Sequence, residues 1–378
     1  MEKFVSVTNP TVIENLKLQI SNSRIIDWAT DFNKDAGISY NRLAHILDYW
    51  ENKFSWEKSE RELNSFDQFY FIDKDTKTHF LHLKSPENNA LPLLLIHGWP
   101  GSIFEFFDLI PLLTNPNENN LSGSQPFDLV IPSLPNVGFS FSKNQKPMDL
   151  EEISNHFVKL MNCLGYKNYF IQGGDLGSFI ASIMSNNDPD SIRGIHLNML
   201  PLPRGLDKSP ENKAEEMYYL KLKKFILYET GYQQLQGTKP FTLAHALNAS
   251  PVSLCAYISE KFYTWTDHDG DLFSKISIDK LLANITLYWI TGCIGASFWP
   301  YYARHRSDWP ISKKEPIKTP MGYSEFPKEL FSPPISLASQ FYKNIKDWSS
   351  HSSGGHFAAM EKPKTLAKDI NKFVKEIL

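Results

Sequence analysis

A short glycine-rich segment, residues 173–177, constrains the fold of this chain more than any other stretch. It follows an apolar run at residues 169–172 that predicts a buried strand, and it precedes a run at residues 178–184 that predicts a helix. Glycines on both sides of Asp175 permit a tight turn that lifts one side chain above the edge of a sheet. The sequence therefore predicts an α/β sheet with a carboxylate at a strand-to-helix elbow.

The residue type at this elbow restricts the chemistry. Asp175 can attack an alkyl carbon to form an ester, whereas attack on an acyl carbon would give an unstable anhydride. An aspartate there favours displacement at a carbon that bears a strained oxygen or a halide. The motif by itself is not specific, because Gly-Asp-Gly combinations are common in ordinary loops.

Strand and helix patterns alternate on both sides of this turn. The continuous apolar run at residues 91–96 is typical of a central parallel strand that is buried on both faces. Residues 69–73 and 78–83 alternate with a period of two and predict a hairpin. Further strands are predicted at residues 127–132 and 194–199, and helices at residues 29–64 and 153–161. The alternation predicts a doubly wound, mostly parallel sheet flanked by helices.

The alternation stops near residues 201–205, where a long helical block begins. Residues 212–228, 251–263 and 278–294 have helical patterns, and no strand-like run separates them. The sheet pattern resumes near residues 321–323, and residues 363–377 predict a closing amphipathic helix. A helical block inserted between sheet strands predicts a lid.

Composition and charge exclude several kinds of partner. The 378-residue chain has a net charge of −3 and no stripe of Lys or Arg, which argues against nucleic acid. Cys163, Cys255 and Cys293 lie in apolar contexts without paired spacing, so we expect small core residues in a reducing compartment and neither disulfides nor a metal site. The N-terminus has no apolar segment of signal-peptide or membrane-anchor length, which predicts a cytoplasmic protein without a membrane anchor.

A nucleophile at an elbow needs an acid and a histidine, in that chain order. His356 follows two glycines and precedes a predicted helix, so it lies on a loop that can reach the elbow. His351 fits a solvent-exposed position better. The acid must lie between the lid and His356; Glu329 is best placed, and Glu325 and Asp347 compete with it.

An ester intermediate also requires an oxyanion hole. The segment at residues 97–100 follows a buried strand, so the backbone N–H groups of Trp99 and Leu176 can converge on one oxygen. The alternative is a tight turn in which Trp99 is a core aromatic. That alternative explains the turn but not its coincidence with the elbow.

Together these motifs resemble the microsomal-type epoxide hydrolases, a branch of the α/β-hydrolase superfamily that includes the juvenile-hormone epoxide hydrolases. The resemblance covers nearly the whole chain and rests on residues 47–56, 97–102, 132–140, 171–175, 196–199 and 354–359. It implies an α/β-hydrolase fold with an inserted helical lid and an N-terminal extension. The implied parts are an N-terminal segment packing on the core at residues 1–88, a core at 89–203 and 309–378, and a lid at 204–308.

The resemblance also implies a role for each site residue. Asp175 would be the nucleophile, His356 the base and Glu329 its orienting acid, because the Phe-Pro-x-Glu-Leu setting of Glu329 matches the family. Two lid tyrosines would act as acids. Tyr232 is the first and Tyr301 the second, with Tyr302 as a one-residue alternative for the second, and either position would suit a core aromatic.

The implied reaction converts an apolar epoxide and water to a vicinal diol through an ester of Asp175, without a metal or organic cofactor. The pocket walls are expected from the lid and the N-terminal segment, where Trp265, Phe298 and Trp299 favour an apolar or aryl substrate or form lid core. Family members commonly carry tryptophan where this chain has Leu176, which changes the pocket shape. The alternatives are a haloalkane dehalogenase and a non-catalytic ligand-binding protein; homo-oligomer formation is compatible with the sequence.

Overall fold

The computed structural model describes residues 1–27, 36–203 and 209–378. The strands of these residues, in chain order, are β1 (Glu2–Phe4), β2 (Gln68–Asp73), β3 (Thr76–Leu83), β4 (Leu91–Ile96), β5 (Phe127–Pro132), β6 (Tyr169–Gly173), β7 (Ile192–Leu197), β8 (Met321–Glu325) and β9 (Ile345–Ser350). They form one sheet in the order β1-β2-β3-β5-β4-β6-β7-β8-β9. All pairs from β5 to β9 are parallel, and β1, β2 and β3 extend the sheet in antiparallel fashion beyond β5.

The helices are α1 (Pro10–Ser21), α2 (Tyr40–Asn52), α3 (Trp56–Asn64), α4 (Ile110–Thr114), α5 (Leu150–Cys163), α6 (Asp175–Asn187), α7 (Lys213–Tyr228), α8 (Gly231–Thr238), α9 (Pro240–Ala249), α10 (Pro251–Trp265), α11 (Ile278–Thr291), α12 (Ile294–Ser297), α13 (Trp299–Arg304), α14 (Ile335–Ala338), α15 (Ala358–Glu361) and α16 (Pro363–Lys375). Short 3₁₀ turns lie at Ile103–Phe106, Gly138–Ser140 and Leu272–Ser274.

The centre of the sheet is covered on both faces. Every residue of β6 is buried, as is β4 from Leu93 onward, which explains why these strands are continuously apolar. On one face α16 packs so closely that a Cβ on Gly322 would lie 2.6 Å from the Phe373 ring. The predicted parallel sheet with flanking helices is confirmed.

The N-terminal segment contributes to the sheet as well as packing on it, because β1, β2 and β3 are three of its strands. The predicted hairpin is confirmed as β2 and β3. Helices α2 and α3 fall within the stretch predicted to be helical, whereas residues 29–35 of that prediction lie outside the described residues. The segment also contacts the inserted block, since the Trp50 Nε1–H donates to Thr286 Oγ1 at 2.9 Å.

Residues 209–308 hold α7 to α13 and no strand, as predicted for the lid, while the predicted lid start at residue 204 lies outside the described residues. Among the described residues, no single helix has the length and apolar composition needed to cross a membrane. Helix α11 and the stretch from Ile294 to Arg304 meet those criteria only jointly, and they are bent by 108°.

Several local predictions were wrong. Strand β7 begins and ends two residues before the predicted strand. Strand β9 was not predicted, because its sequence alternates too weakly at the edge of the sheet. Cys163 is exposed because it lies in the last turn of α5, whereas Cys255 and Cys293 are buried as expected.

Candidate active site

Asp175 occupies the sharp turn between β6 and α6. Its backbone is left-handed, with φ at 46°, a conformation that costs a non-glycine residue roughly 1–2 kcal/mol. The turn fits because its neighbours lack side chains. A Cβ on Gly177 would lie 2.0 Å from the Ile96 carbonyl oxygen, and one on Gly98 would lie 2.3 Å from the Asp175 Cβ. The structure thus has the predicted elbow, and it holds the carboxylate beyond the end of β6.

His356 lies between two carboxylates. Its Nε2 is 3.4 Å from Asp175 Oδ2, and its Nδ1 is 2.9 Å and 3.1 Å from the two carboxylate oxygens of Glu329. Glu329 is fully buried and also accepts the Leu330 N–H at 2.6 Å. Burial opposes a charge on His356, but the charges and hydrogen bonds of Glu329 and Asp175 outweigh it and raise the pKa of His356 well above 6.5. The resting site therefore favours the protonated form of His356 between the two carboxylates.

The loop that carries His356 is fixed to the lid. The His356 N–H donates to the Trp265 carbonyl oxygen at 3.0 Å. The Glu361 carboxylate accepts the N–H groups of Asp267 at 2.9 Å and Phe357 at 3.0 Å, so one side chain bridges the lid and the histidine loop. Burial raises the pKa of Glu361 to about 7, although both N–H groups favour its charged form. The histidine is held by backbone contacts in addition to its ring contacts.

The other candidates for the acid and the histidine bind elsewhere. Glu325 accepts the Trp348 indole N–H, Asp347 binds Ser349 and Lys372, and His351 binds Asp369. The structure brings Glu329 and His356 to Asp175.

The turn after β4 aims a backbone donor at the nucleophile. The Trp99 N–H donates to Asp175 Oδ1 at 2.8 Å. Leu176 is the second residue of α6, and N–H groups in the first turn of a helix have no partner within the helix.

The turn after β4 is fixed by His97, whose Nδ1 binds the Gly98 carbonyl oxygen and whose Nε2 accepts the Leu134 N–H. Burial lowers the pKa of His97 to about 4, so it is a neutral structural histidine.

Two lid tyrosines face the nucleophile across a cavity. Tyr232 and Tyr301 both line the same cavity as Asp175, and their ring centroids are 5.8 Å apart. Tyr232 stacks on the Trp99 indole, with centroids 5.4 Å apart. Burial and the charge of Asp175 raise the pKa of both phenols, so both are protonated donors. Tyr302 does not line this cavity and instead stacks on Trp299.

The cavity between core and lid has a volume of about 350 Å³ and mainly apolar walls. Its aromatic and aliphatic lining includes Leu176, Phe179, Tyr218, Phe225, Leu330 and Phe331. None of the described residues 1–88 lines it, so the predicted contribution of the N-terminal segment to the pocket walls was wrong. Trp265, Phe298 and Trp299 do not line it either. Trp265 and Phe298 are fully buried against other aromatic rings, which is the lid-core alternative: Trp265 packs on Tyr232 and Phe357, and Phe298 packs on Trp99 and Tyr257.

Sequence analysis missed a second, smaller cavity beside the nucleophile. It is lined by Glu105, Gln172 and Asn198 together with Asp175 and His356. Nothing in the sequence distinguishes Glu105 from a surface glutamate, since its position depends on how the 3₁₀ turn after β4 folds back. Within the described parts of the chain, no group of three or more His, Cys, Asp or Glu side chains is arranged to hold a metal ion.

Comparison with known proteins gives the family. A family model described as epoxide hydrolase N terminus matches residues 1–106, and one for the α/β hydrolase fold matches residues 92–245. Epoxide hydrolase 1 of Oryctolagus cuniculus is 37% identical in a match that covers 98% of this chain and 88% of that protein. The chain belongs to the epoxide hydrolase family. Juvenile hormone epoxide hydrolase 1 of Ctenocephalides felis is 34% identical, with 97% and 84% covered.

Solved structures of epoxide hydrolases have the same fold. The Aspergillus niger epoxide hydrolase gives a TM-score of 0.87 at 30% identity and covers 100% of this chain and 96% of its own. The juvenile hormone epoxide hydrolase of Bombyx mori gives 0.89 at 29% identity, with 100% and 94% covered. The predictions of an α/β-hydrolase fold, of the epoxide hydrolase family and of a hydrolytic enzyme are confirmed.

Proposed function

We propose that this epoxide hydrolase opens an apolar epoxide through a covalent ester of Asp175 and releases a vicinal diol. The observation that carries the proposal is the placement of one carboxylate, Asp175, between two sets of groups. Tyr232 and Tyr301 face it across the apolar cavity, and His356 and the Trp99 N–H contact it from the core side. This arrangement suits a substrate on one side of the nucleophile and water on the other.

In the first step, the epoxide oxygen accepts hydrogen bonds from Tyr232 and Tyr301 while Asp175 attacks one ring carbon. The carbon–oxygen bond of the ring breaks as the ester bond forms, and the oxygen leaves as an alkoxide. Two protonated phenols stabilise that charge where it develops. The ester has lost the negative charge of Asp175, so the pKa of His356 falls and His356 releases its proton. The alkoxide takes up one proton and becomes a hydroxyl, so the number of protons is unchanged over the step.

In the second step, neutral His356 takes a proton from water, whose oxygen attacks the carboxyl carbon of Asp175. The Trp99 and Leu176 N–H groups stabilise the tetrahedral oxyanion. Collapse breaks the bond between that carbon and the substrate oxygen, which takes the proton from His356 and leaves as the second hydroxyl. The resulting carboxylic acid returns one proton to His356, so the cycle consumes one epoxide and one water.

The dehalogenase alternative has less support. A leaving halide needs N–H donors in the cavity, but Leu176 offers an apolar side chain there and the Trp99 indole N–H is bonded to Ser297 Oγ. Phenol donors at Tyr232 and Tyr301 suit an alkoxide. A pure binding protein would not need the His356–Glu329 pair. The reaction needs no cofactor.

The proposal is tested by single turnover of a reactive aryl epoxide in heavy-oxygen water. The label should enter the Asp175 side chain before it enters product, and the intact enzyme should gain the mass of one substrate. Asp175→Ala should show neither change. Label found in the first-formed diol, with none in Asp175, would overturn the proposal.

We also propose a domain division, a location and a possible assembly for the protein. The boundaries 1–88, 89–203, 204–308 and 309–378 divide the chain into N-terminal segment, core and lid. A cytoplasmic location is an expectation from the sequence, and homo-oligomer formation is compatible with it.

A further inference from the structure

The smaller cavity beside the nucleophile has the size of one water molecule. Its volume is about 20 Å³, against about 10–15 Å³ needed for one water on the same measure. Asp175 and His356 both line it, and Asp175 is the one described residue that also lines the large cavity. A water molecule in this cavity would lie beside both the carboxyl carbon of Asp175 and the base, His356.

The carboxyl of Glu105 reaches this cavity because Gly101, four residues earlier in the chain, has no side chain. A Cβ on Gly101 would lie 1.3 Å from Glu105 Oε1, so the carboxyl occupies the space that any other residue would fill. The backbone N–H of Ser102 favours the charged form of the carboxyl. The same turn is held from the lid, where the Tyr288 hydroxyl donates to the Gly101 carbonyl oxygen at 2.9 Å.

Two buried amides complete the polar wall. The Gln172 Nε2 donates to Asn198 Oδ1 at 2.8 Å, which leaves Gln172 Oε1 without a partner although the side chain is 1% exposed. Buried polar atoms are nearly always hydrogen-bonded, and a bridging water is the usual partner when protein supplies none. The unpartnered oxygen is therefore independent evidence for a water in this cavity.

We propose that Glu105 is a further catalytic residue: its carboxyl accepts a hydrogen bond from the water that hydrolyses the Asp175 ester, while His356 Nε2 accepts the other hydrogen. The inference rests on the function proposed above. During attack, the bond from the water oxygen to the Asp175 carboxyl carbon forms and one proton moves to His356. The second hydrogen stays on that oxygen, directed at Glu105, so the lone pair faces the carbon.

Burial, together with the charge of Asp175, raises the pKa of Glu105 to about 8, although the charge of His356 and the Ser102 N–H favour ionisation. The carboxyl is therefore neutral at pH 7 in the resting enzyme and keeps a carbonyl oxygen as acceptor. A glutamine at position 105 would present the same acceptor at the same place, whereas leucine would present none. The two variants separate the hydrogen bond from the volume of the side chain.

The test measures the two steps separately in the intact protein, with one aryl epoxide. Rapid quenching and intact mass give the rates of ester formation and ester loss. Glu105→Leu should slow ester loss by about 10- to 100-fold, the effect of one lost hydrogen bond, and leave ester formation within about three-fold. Glu105→Gln should restore most of the rate of ester loss. Gly101→Ala, which displaces the carboxyl without removing it, should resemble Glu105→Leu.

Equal slowing of both steps in Glu105→Leu and Glu105→Gln would indicate a structural role and overturn the inference. So would unchanged ester loss in Glu105→Leu. If Glu105→Leu does not fold, the comparison of Gly101→Ala with Glu105→Gln decides. Absence of any ester in the native enzyme and in His356→Gln would instead refute the proposed function.

Discussion

The charge of one residue, Asp175, sets the protonation of another. While Asp175 is ionised, His356 lies between two carboxylates and its pKa is raised, which favours the protonated form that cannot accept a proton. Ester formation removes one of those charges, and among the described residues it leaves Glu329 as the anion in contact with the ring. His356 then becomes a base at the moment when a base is needed.

Glu329→Gln should separate the two steps. The glutamine keeps the shape but removes the charge that holds the Nδ1–H of His356, and in a serine triad the equivalent change costs about 10⁴ in rate. We expect ester formation to persist and ester loss to fall by about 10²–10⁴. Intact mass spectrometry during turnover should show alkylated enzyme as the main species. Glu325→Gln is the matched control and should turn over like the native enzyme; a Glu329→Gln enzyme without accumulated ester would contradict the role.

The same pKa shift predicts how stability depends on pH. A histidine whose pKa is raised on folding contributes its full stabilisation at a pH below 6.5, its pKa in the unfolded state. This stabilisation is lost as the pH rises through the pKa of the folded state. Relative to His356→Gln, the native protein should therefore lose free energy of unfolding as the pH rises above 6.5. Urea unfolding from pH 6 to pH 9 measures this, with exposed His245→Gln as control. A difference that stays constant or grows with pH would be inconsistent with the shift.

At the scale of single residues, sequence patterns predicted that Asp175 stands at an elbow and that His356 and the Trp99 N–H reach it, because chain order and flanking glycines restrict these positions. They could not locate Glu105, whose role depends on a side chain folding back over Gly101. They also could not separate Tyr301 from Tyr302, because adjacent helical residues point in directions about 100° apart, and only the packing of α13 decides between them.

At the scale of elements, the elbow depends on close approach between β4 and α6. Central strands were predicted to within a residue or two, because burial on both faces leaves a continuous apolar run. Edge strand β9 and the short lid helices α8, α9, α12 and α13 were missed, because they are short and their periodicity is weak. Long periodic elements can be predicted from sequence, whereas short ones are defined by their neighbours.

Gly177→Ala tests this close approach. The added Cβ would lie 2.0 Å from the Ile96 carbonyl oxygen, so α6 must shift away from β4 and carry Asp175 out of reach of Trp99. We expect a loss of stability of about 1–3 kcal/mol or more, typical of overpacking, and loss of turnover. Thermal unfolding and diol formation measure both. Gly231→Ala has nothing within 4 Å of its Cβ and should be nearly neutral; equal effects of the two changes would refute the argument.

At the scale of the whole molecule, three parts meet at the site. The core supplies Asp175 and His356, and the lid supplies the tyrosines. The N-terminal segment touches neither the nucleophile nor the large cavity within the described residues, yet it holds the lid helix α11 through Trp50. That helix in turn binds the turn after β4, where Asn284 Nδ2 donates to the Pro100 carbonyl oxygen at 2.8 Å. The N-terminal segment therefore supports the site from behind.

A double-mutant cycle at Trp50 and Thr286 tests this support. The indole N–H and the Thr286 hydroxyl are both buried, so Trp50→Phe and Thr286→Val each remove one partner of a 2.9 Å hydrogen bond. We expect each single change to destabilise by about 1–3 kcal/mol, because an unpaired polar group is left buried, and the double change to cost less than the sum. Urea unfolding gives the coupling energy.

Diol formation should fall with Trp50→Phe more than with the exposed control Tyr228→Phe, since a loosened α11 no longer fixes the turn that carries Trp99. Additive stability effects, or full activity in a destabilised Trp50→Phe enzyme, would mean that the N-terminal segment stabilises the fold without supporting the site.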